Sequence, residues 1–149
     1  MAQTYIGSTL RTGSGTLTDT TDGGFVVVSQ TTTATTVAAG TAVTSTITIP
    51  ADSQIIDFYI DCTTLPVAGA GTATAVNATI GTAAAGTQYL SATDVISGGR
   101  AALTFTAAQL TAMSAVGSST TVAFTIDPNG TVSTTQGVYR LTVVYAQKV

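Results

Sequence analysis

The sequence predicts an all-β fold: an antiparallel β-sandwich, jelly-roll-like, with one short helical turn and an extended N-terminal arm. Three observations carry that prediction. Apolar residues alternate with polar ones at period two over several segments, the pattern of half-buried strands. Breaks containing Gly, Pro, Asn or Asp separate those segments at short intervals, as in sandwiches and barrels rather than βαβ folds. Thr, β-branched and strand-favouring, supplies 34 of the 149 residues.

The length fits one domain, divided here into an arm over 1–24 and a sandwich over 25–149. The arm is rich in Thr, Ser and Gly and has few apolar anchors, so it cannot build a core of its own. Its Tyr5, Ile6, Leu10, Arg11 and Leu17 are expected to contact a neighbouring subunit or shell.

The strands follow in order. Phe25–Val28, after the turn-type triplet Asp22-Gly23-Gly24, leads into the hydroxyl-rich stretch 29–36, which suits an edge strand. Val43, Ser45, Ile47 and Ile49 alternate with Thr44, Thr46 and Thr48 until Pro50 stops the run. In the next strand Ile56, Phe58, Ile60 and Cys62 are expected to face inward, with Ile55, Asp57, Tyr59 and Asp61 outward. Val76, Ala78 and Ile80 form another strand, and a looser one covers 88–95. Ala101, Leu103 and Phe105 alternate over 100–106.

The period then changes. Thr106-Ala107-Ala108-Gln109 fits a capping box, and Leu110 and Met113 lie three apart, which predicts one or two helical turns before Gly117. Val122, Phe124 and Ile126 make a strand ended by Asp127-Pro128-Asn129-Gly130, read as a tight turn with Gly at a positive φ. Tyr139, Leu141, Val143 and Tyr145 line one face of the last strand, Arg140 and Thr142 the other. The predicted core is Ile56, Phe58, Ile60, Leu103, Phe105, Val122, Phe124, Leu141 and Val143.

Charge is the unusual quantity. Charged residues are 7% of the chain, against about 25% in ordinary soluble domains. A folded chain of this mass exposes roughly 7,000 Å², so eleven charges leave a surface made mainly of hydroxyl, amide and small apolar groups. Such a surface loses little desolvation energy on contact with a partner, whereas a free monomer usually keeps more charge for solubility. Four cations against seven Asp, with pI near 4.2, exclude the basic patch that nucleic acid requires. No run approaches the 18 or so apolar residues of a membrane span. The first fifteen residues lack a charged n-region followed by an apolar h-region, so folding in the cytoplasm is expected. On that expectation the Asn77-Ala78-Thr79 and Asn129-Gly130-Thr131 triplets are chance matches to the glycosylation pattern.

Catalytic chemistry has no foothold. There is no His and no Glu, and the one Lys, Lys148, stands next to the last residue. That removes the commonest general base, the commonest metal ligand and a Schiff-base lysine. The abundant hydroxyls have only Asp to activate them. Cys62 is single and reads as a small buried hydrophobe. Asp57 and Asp61 share a strand face about 13 Å apart, too far for a carboxylate dyad, and read as solvated face residues. No catalytic, cofactor-binding or metal-ligating residue is assigned.

The segment Thr46–Thr64 (TITIPADSQIIDFYIDCTT) resembles the strand–turn–strand of small head proteins of tailed bacteriophages. Asn77–Thr82 and Tyr89–Asp94 look like its continuation, and the resemblance covers residues 43–145. It implies a capsid decoration (cement) or head-fibre-like protein: a non-enzymatic β-sandwich on the capsid surface of a virion, made in the host cytoplasm. Its partners would be the major capsid protein, copies of itself or both, as a homo-oligomer on the particle, with no nucleic acid and no membrane. The competing reading is a fibre or tail-associated β-domain that binds a host-surface glycan. The scarcity of aromatic residues disfavours it, because glycan sites present Trp or Tyr platforms and Trp is absent.

Overall fold

The structure is a computed structural model and describes residues 11–12, 15–16, 25–66, 72–131 and 135–148. Ten strands and one helix make up the described residues: β1 (Arg11–Thr12), β2 (Gly15–Thr16), β3 (Phe25–Thr35), β4 (Val43–Ile49), β5 (Gln54–Thr64), β6 (Val76–Gly81), β7 (Leu90–Asp94), β8 (Gly99–Arg100), α1 (Ala107–Ser114), β9 (Thr120–Pro128) and β10 (Val138–Lys148). Strands β1 and β2 pair antiparallel in a small sheet of their own.

The remaining eight strands form two antiparallel sheets of four. Sheet 1 runs β3-β10-β5-β8 and sheet 2 runs β4-β9-β6-β7. The pairings nest: β3 with β10, β4 with β9, β5 with β8 and β6 with β7. One long folded hairpin is thus wrapped into two stacked sheets, which is the jelly-roll arrangement. The wrapping sets Phe25 opposite Lys148, so the arm joins the sandwich beside the end of β10. Helix α1 and the 82–89 connection lie at that same end, tied by Gln109 Nε2 donating to Thr87 O at 3.2 Å and to Ser91 Oγ at 3.1 Å.

The core fills the space between the sheets. Phe58, Ile60, Leu141 and Val143 of sheet 1 meet Ile80, Val122, Phe124 and Ile126 of sheet 2, all fully or almost fully buried. Phe58 packs its ring against Tyr89 and Phe105, with centroids 5.8 and 6.4 Å apart. Cys62 is buried, and its thiol donates to Thr64 O at 3.3 Å. The Tyr139 hydroxyl lies beside that thiol, buried and without a well-formed hydrogen bond, and burial holds its phenol far above the usual tyrosine range.

Four expectations need correction. Ile56 is not in the core: it is 48% exposed, and Ile55 is buried in its place. A bulge explains the exchange, because Val144 pairs with Asp57 and the next residue, Tyr145, pairs with Ile55. Ile56 is the extra residue, left without a partner and turned outward. Leu103 and Phe105 are half-buried and packed on the core, but 101–105 is extended chain without a ladder beyond the bond from Ala101 N to Ile60 O at 2.9 Å.

In α1 the capping box of Thr106 and Gln109 is present, whereas the inward face is Gln109 and Met113, and Leu110 is 53% exposed. Pro128 ends β9 without a tight turn, and Gly130 has no positive φ. A Cβ at Gly130 would instead meet Thr72 Oγ1 at 2.5 Å, so glycine serves close approach there.

Candidate interaction surface

The partner-contact residues predicted for the arm cannot be placed as a group. Tyr5, Ile6, Leu10 and Leu17 lie outside the described residues, and Arg11 opens β1 opposite Thr16. What the described residues do show is two sheet faces directed away from the core, with contrasting chemistry.

The outer face of sheet 1 carries Asp57, Tyr59 and Asp61 from β5, Arg100 from β8 and Arg140 from β10. Strand alternation sets the three β5 residues on one side, and the register places Asp61 opposite both Arg140 and Arg100. Arg100 forks onto Asp61, with Nε donating to Oδ1 at 2.9 Å and Nη2 to Oδ2 at 3.3 Å. Arg140 Nη2 donates to the same Oδ2 at 3.2 Å. These bonds, that from Arg100 foremost, hold the Asp61 carboxyl below the usual aspartate range.

The Asp61 side chain keeps only 14% of its surface exposed, against 58% for Arg100 and 48% for Arg140. It is therefore covered rather than solvated, which corrects the reading of Asp57 and Asp61 as two equivalent solvated residues. Asp57 turns elsewhere: its Oδ1 accepts from Phe58 N at 2.8 Å. As hydrogen-bond partner and negative charge, Asp57 also raises the Tyr59 phenol above its ordinary range.

The Arg100 guanidinium sits 4.4 Å from the centre of the Tyr59 ring, a cation–π contact. Tyr89, Tyr139 and Tyr145 are buried, so Tyr59 is the one tyrosine among the described side chains that reaches the surface, and Arg100 already covers a ring face. The sequence held a partial signal for this cluster: Asp61, Arg100 and Arg140 are opposite charges on three separate predicted strands. Only the register brings them together.

The outer face of sheet 2 is made of hydroxyls. Thr44, Thr46 and Thr48 of β4 run beside Thr121, Ala123 and Thr125 of β9, with Asn77 and Thr79 of β6 beyond. Thr44 Oγ1 and Thr125 Oγ1 bond at 2.8 Å. The 82–89 connection folds over this face and donates Ala85 N to Thr125 Oγ1 at 2.9 Å, so Ala123 and Thr125 are buried although they point away from the core.

Among the described residues no group of three or more His, Cys, Asp or Glu side chains could hold a metal ion, and no helix is long and apolar enough to cross a membrane. Compared with protein-family models, with curated proteins and with solved structures, the chain matches none. Fold and surface chemistry therefore carry the functional reading.

Proposed function

We propose that this chain is a non-enzymatic virion structural protein that decorates and stabilises a bacteriophage capsid through protein–protein contacts, with the major capsid protein as its partner. The observation that carries the reading is the poverty of ionic groups on a jelly roll with one outer face made mostly of hydroxyls. Four of the eleven charges, Asp57, Asp61, Arg100 and Arg140, are gathered on the outer face of sheet 1, and three of those four are paired with one another. Such a surface can be covered by a partner with little desolvation cost. The jelly-roll architecture hosts viral capsid and lectin domains alike, so it permits the reading without choosing it. The phage-like segment Thr46–Thr64 favours the capsid. Against the glycan reading stands Tyr59, whose ring is already stacked by Arg100.

The test is co-sedimentation with expanded shells assembled without this chain. Binding should be saturable, and deletion of residues 1–24 should abolish most of it while leaving the melting temperature of the sandwich nearly unchanged. Because few charges are free to pair, raising salt from about 50 to 500 mM, which shortens the Debye length from roughly 14 to 4 Å, should change the dissociation constant less than about threefold. Displacement by soluble sugars, or no sedimentation with any shell, would reject the proposal in favour of a glycan-binding fibre domain or another role.

A further inference from the structure

A sandwich has four edge strands, and exposed edges invite pairing with another chain unless something blunts them. Two of the four are blunted here. β8 is two residues long. β7 has five residues and a register shift against β6. β4 has seven residues, and its Thr48 O accepts from the Gln30 side chain at 3.3 Å. The fourth, β3, has eleven residues, about twice the usual strand length. Its register with β10 is unbroken from Phe25 to Thr35, and it contains no charge, proline or glycine. Among the described residues β3 pairs with β10 alone. The Gln30 side chain reaches across to Thr48 O at 3.3 Å, but no backbone bond joins β3 to β4.

We propose that β3 is the pairing edge of a homodimer, in which two copies set their β3 strands antiparallel across a two-fold axis and fuse two four-stranded sheets into one of eight. Two observations favour a second copy as the occupant. A two-fold axis sets residue i of one strand against residue j of the other and j against i, so a charge near the axis would meet a like charge, and β3 has none. The solvent-facing side chains of β3 include Ser29, Thr31 and Thr33, and hydroxyl pairs across strands already recur within the molecule: Thr31 with Thr142 at 3.2 Å, and Thr44 with Thr125 at 2.8 Å. A β3–β3 joint repeats that chemistry and satisfies the open backbone groups. This inference concerns the free protein and stands apart from the capsid proposal.

The experiment is sedimentation equilibrium of the full chain without shells. The expected result is a dimer. With the axis near Gln30, residue 29 of one copy faces residue 31 of the other, so the S29K/T31K and S29E/T31E variants should each raise its dissociation constant at least about tenfold by setting like charges against each other. An equimolar mixture of the two should restore dimers. T121K, on the outer face of sheet 2, should leave the dimer intact and serves as control.

A chain that stays monomeric at about 100 μM, where a specific interface should be populated, would overturn the proposal. That includes the case in which β3 is occupied only on a shell. A dimer that survives both double variants, or variants that weaken it without rescue on mixing, would also overturn it. If a double variant fails to fold, hydrogen exchange of the natural chain decides. Protection of β3 amides that falls on dilution while β10 stays protected supports the joint, and protection unchanged by dilution refutes it.

Discussion

Sheet 1 and sheet 2 bury equivalent inner faces and differ on the outside. Sheet 1 turns an ion cluster and a tyrosine outward, and ends in the long open edge β3. Sheet 2 turns threonines outward, is partly roofed by the 82–89 connection, and has shorter edges, β4 and β7. In β9 the residues from Val122 to Ile126 are buried on both sides, whereas β10 and β5 keep the alternation of a sheet with one wet face. The difference shows that a chain this poor in charge does not spread its charges evenly. It gathers four of its eleven on one sheet face, where three pair with one another.

The largest effect should come from the doubly covered strand. Phe124→Ala is expected to cost about 3–5 kcal/mol, measured by urea unfolding. A loss under about 1 kcal/mol would mean that sheet 2 is not the better-buried layer. The bulge in sheet 1 makes a sharper internal comparison. Ile55→Ala should cost about 2–5 kcal/mol, and its neighbour Ile56→Ala less than about 0.5 kcal/mol. Equal losses would erase the bulge assigned at Val144–Tyr145.

The pH limbs separate the sheets further. Asp61 has its carboxyl lowered in the fold, so its contribution is present above the unfolded value and is lost as pH falls through the folded one. Asp61→Asn should therefore flatten the loss of stability below about pH 4, an effect with no counterpart among the threonines of sheet 2. Tyr139 works in the opposite sense. Its phenol is raised by burial, so its contribution is complete below about pH 10 and declines as pH rises past that value. Tyr139→Phe should leave neutral-pH stability within about 1 kcal/mol of the natural chain and soften the alkaline limb. The smallest effect is expected for Thr125→Val, which removes the acceptor for Ala85 N and should cost about 1 kcal/mol.

Much of this fold is legible in the residues themselves. The threonine-spaced run of β4, the Tyr139–Tyr145 face of β10 and the Thr106–Gln109 capping box all appear where local pattern places them, because each is fixed by neighbours in sequence. The misread positions depend on partners far along the chain. Ile55 and Ile56 are both apolar, and only the ladder with β10 determines which is extra. The 101–105 segment alternates as a strand would, yet it makes one backbone bond to β5, from Ala101 N to Ile60 O, and no ladder. The Asp61 cluster was visible as separate charges, and its meeting point is a property of the register between β5, β8 and β10. The arm, which carried the predicted contacts, lies largely outside the described residues.

The nested pairing also orders events in time. Sheet 1 is organised around β10, and its neighbours β3 and β5 leave the ribosome long before it. At 5–20 residues per second the interval between β3 and β10 is about 5 to 20 s, during which the eleven-residue β3 has no partner on either side. The run SQTTTAT within β3 suits that wait. It keeps the β-branched shape the finished sheet needs, while its hydroxyls and amide lower the hydrophobicity that drives nascent strands to aggregate. Ribosome-bound chains halted before Val138 should accordingly be open to protease throughout sheet 1, and become resistant only once β10 is released.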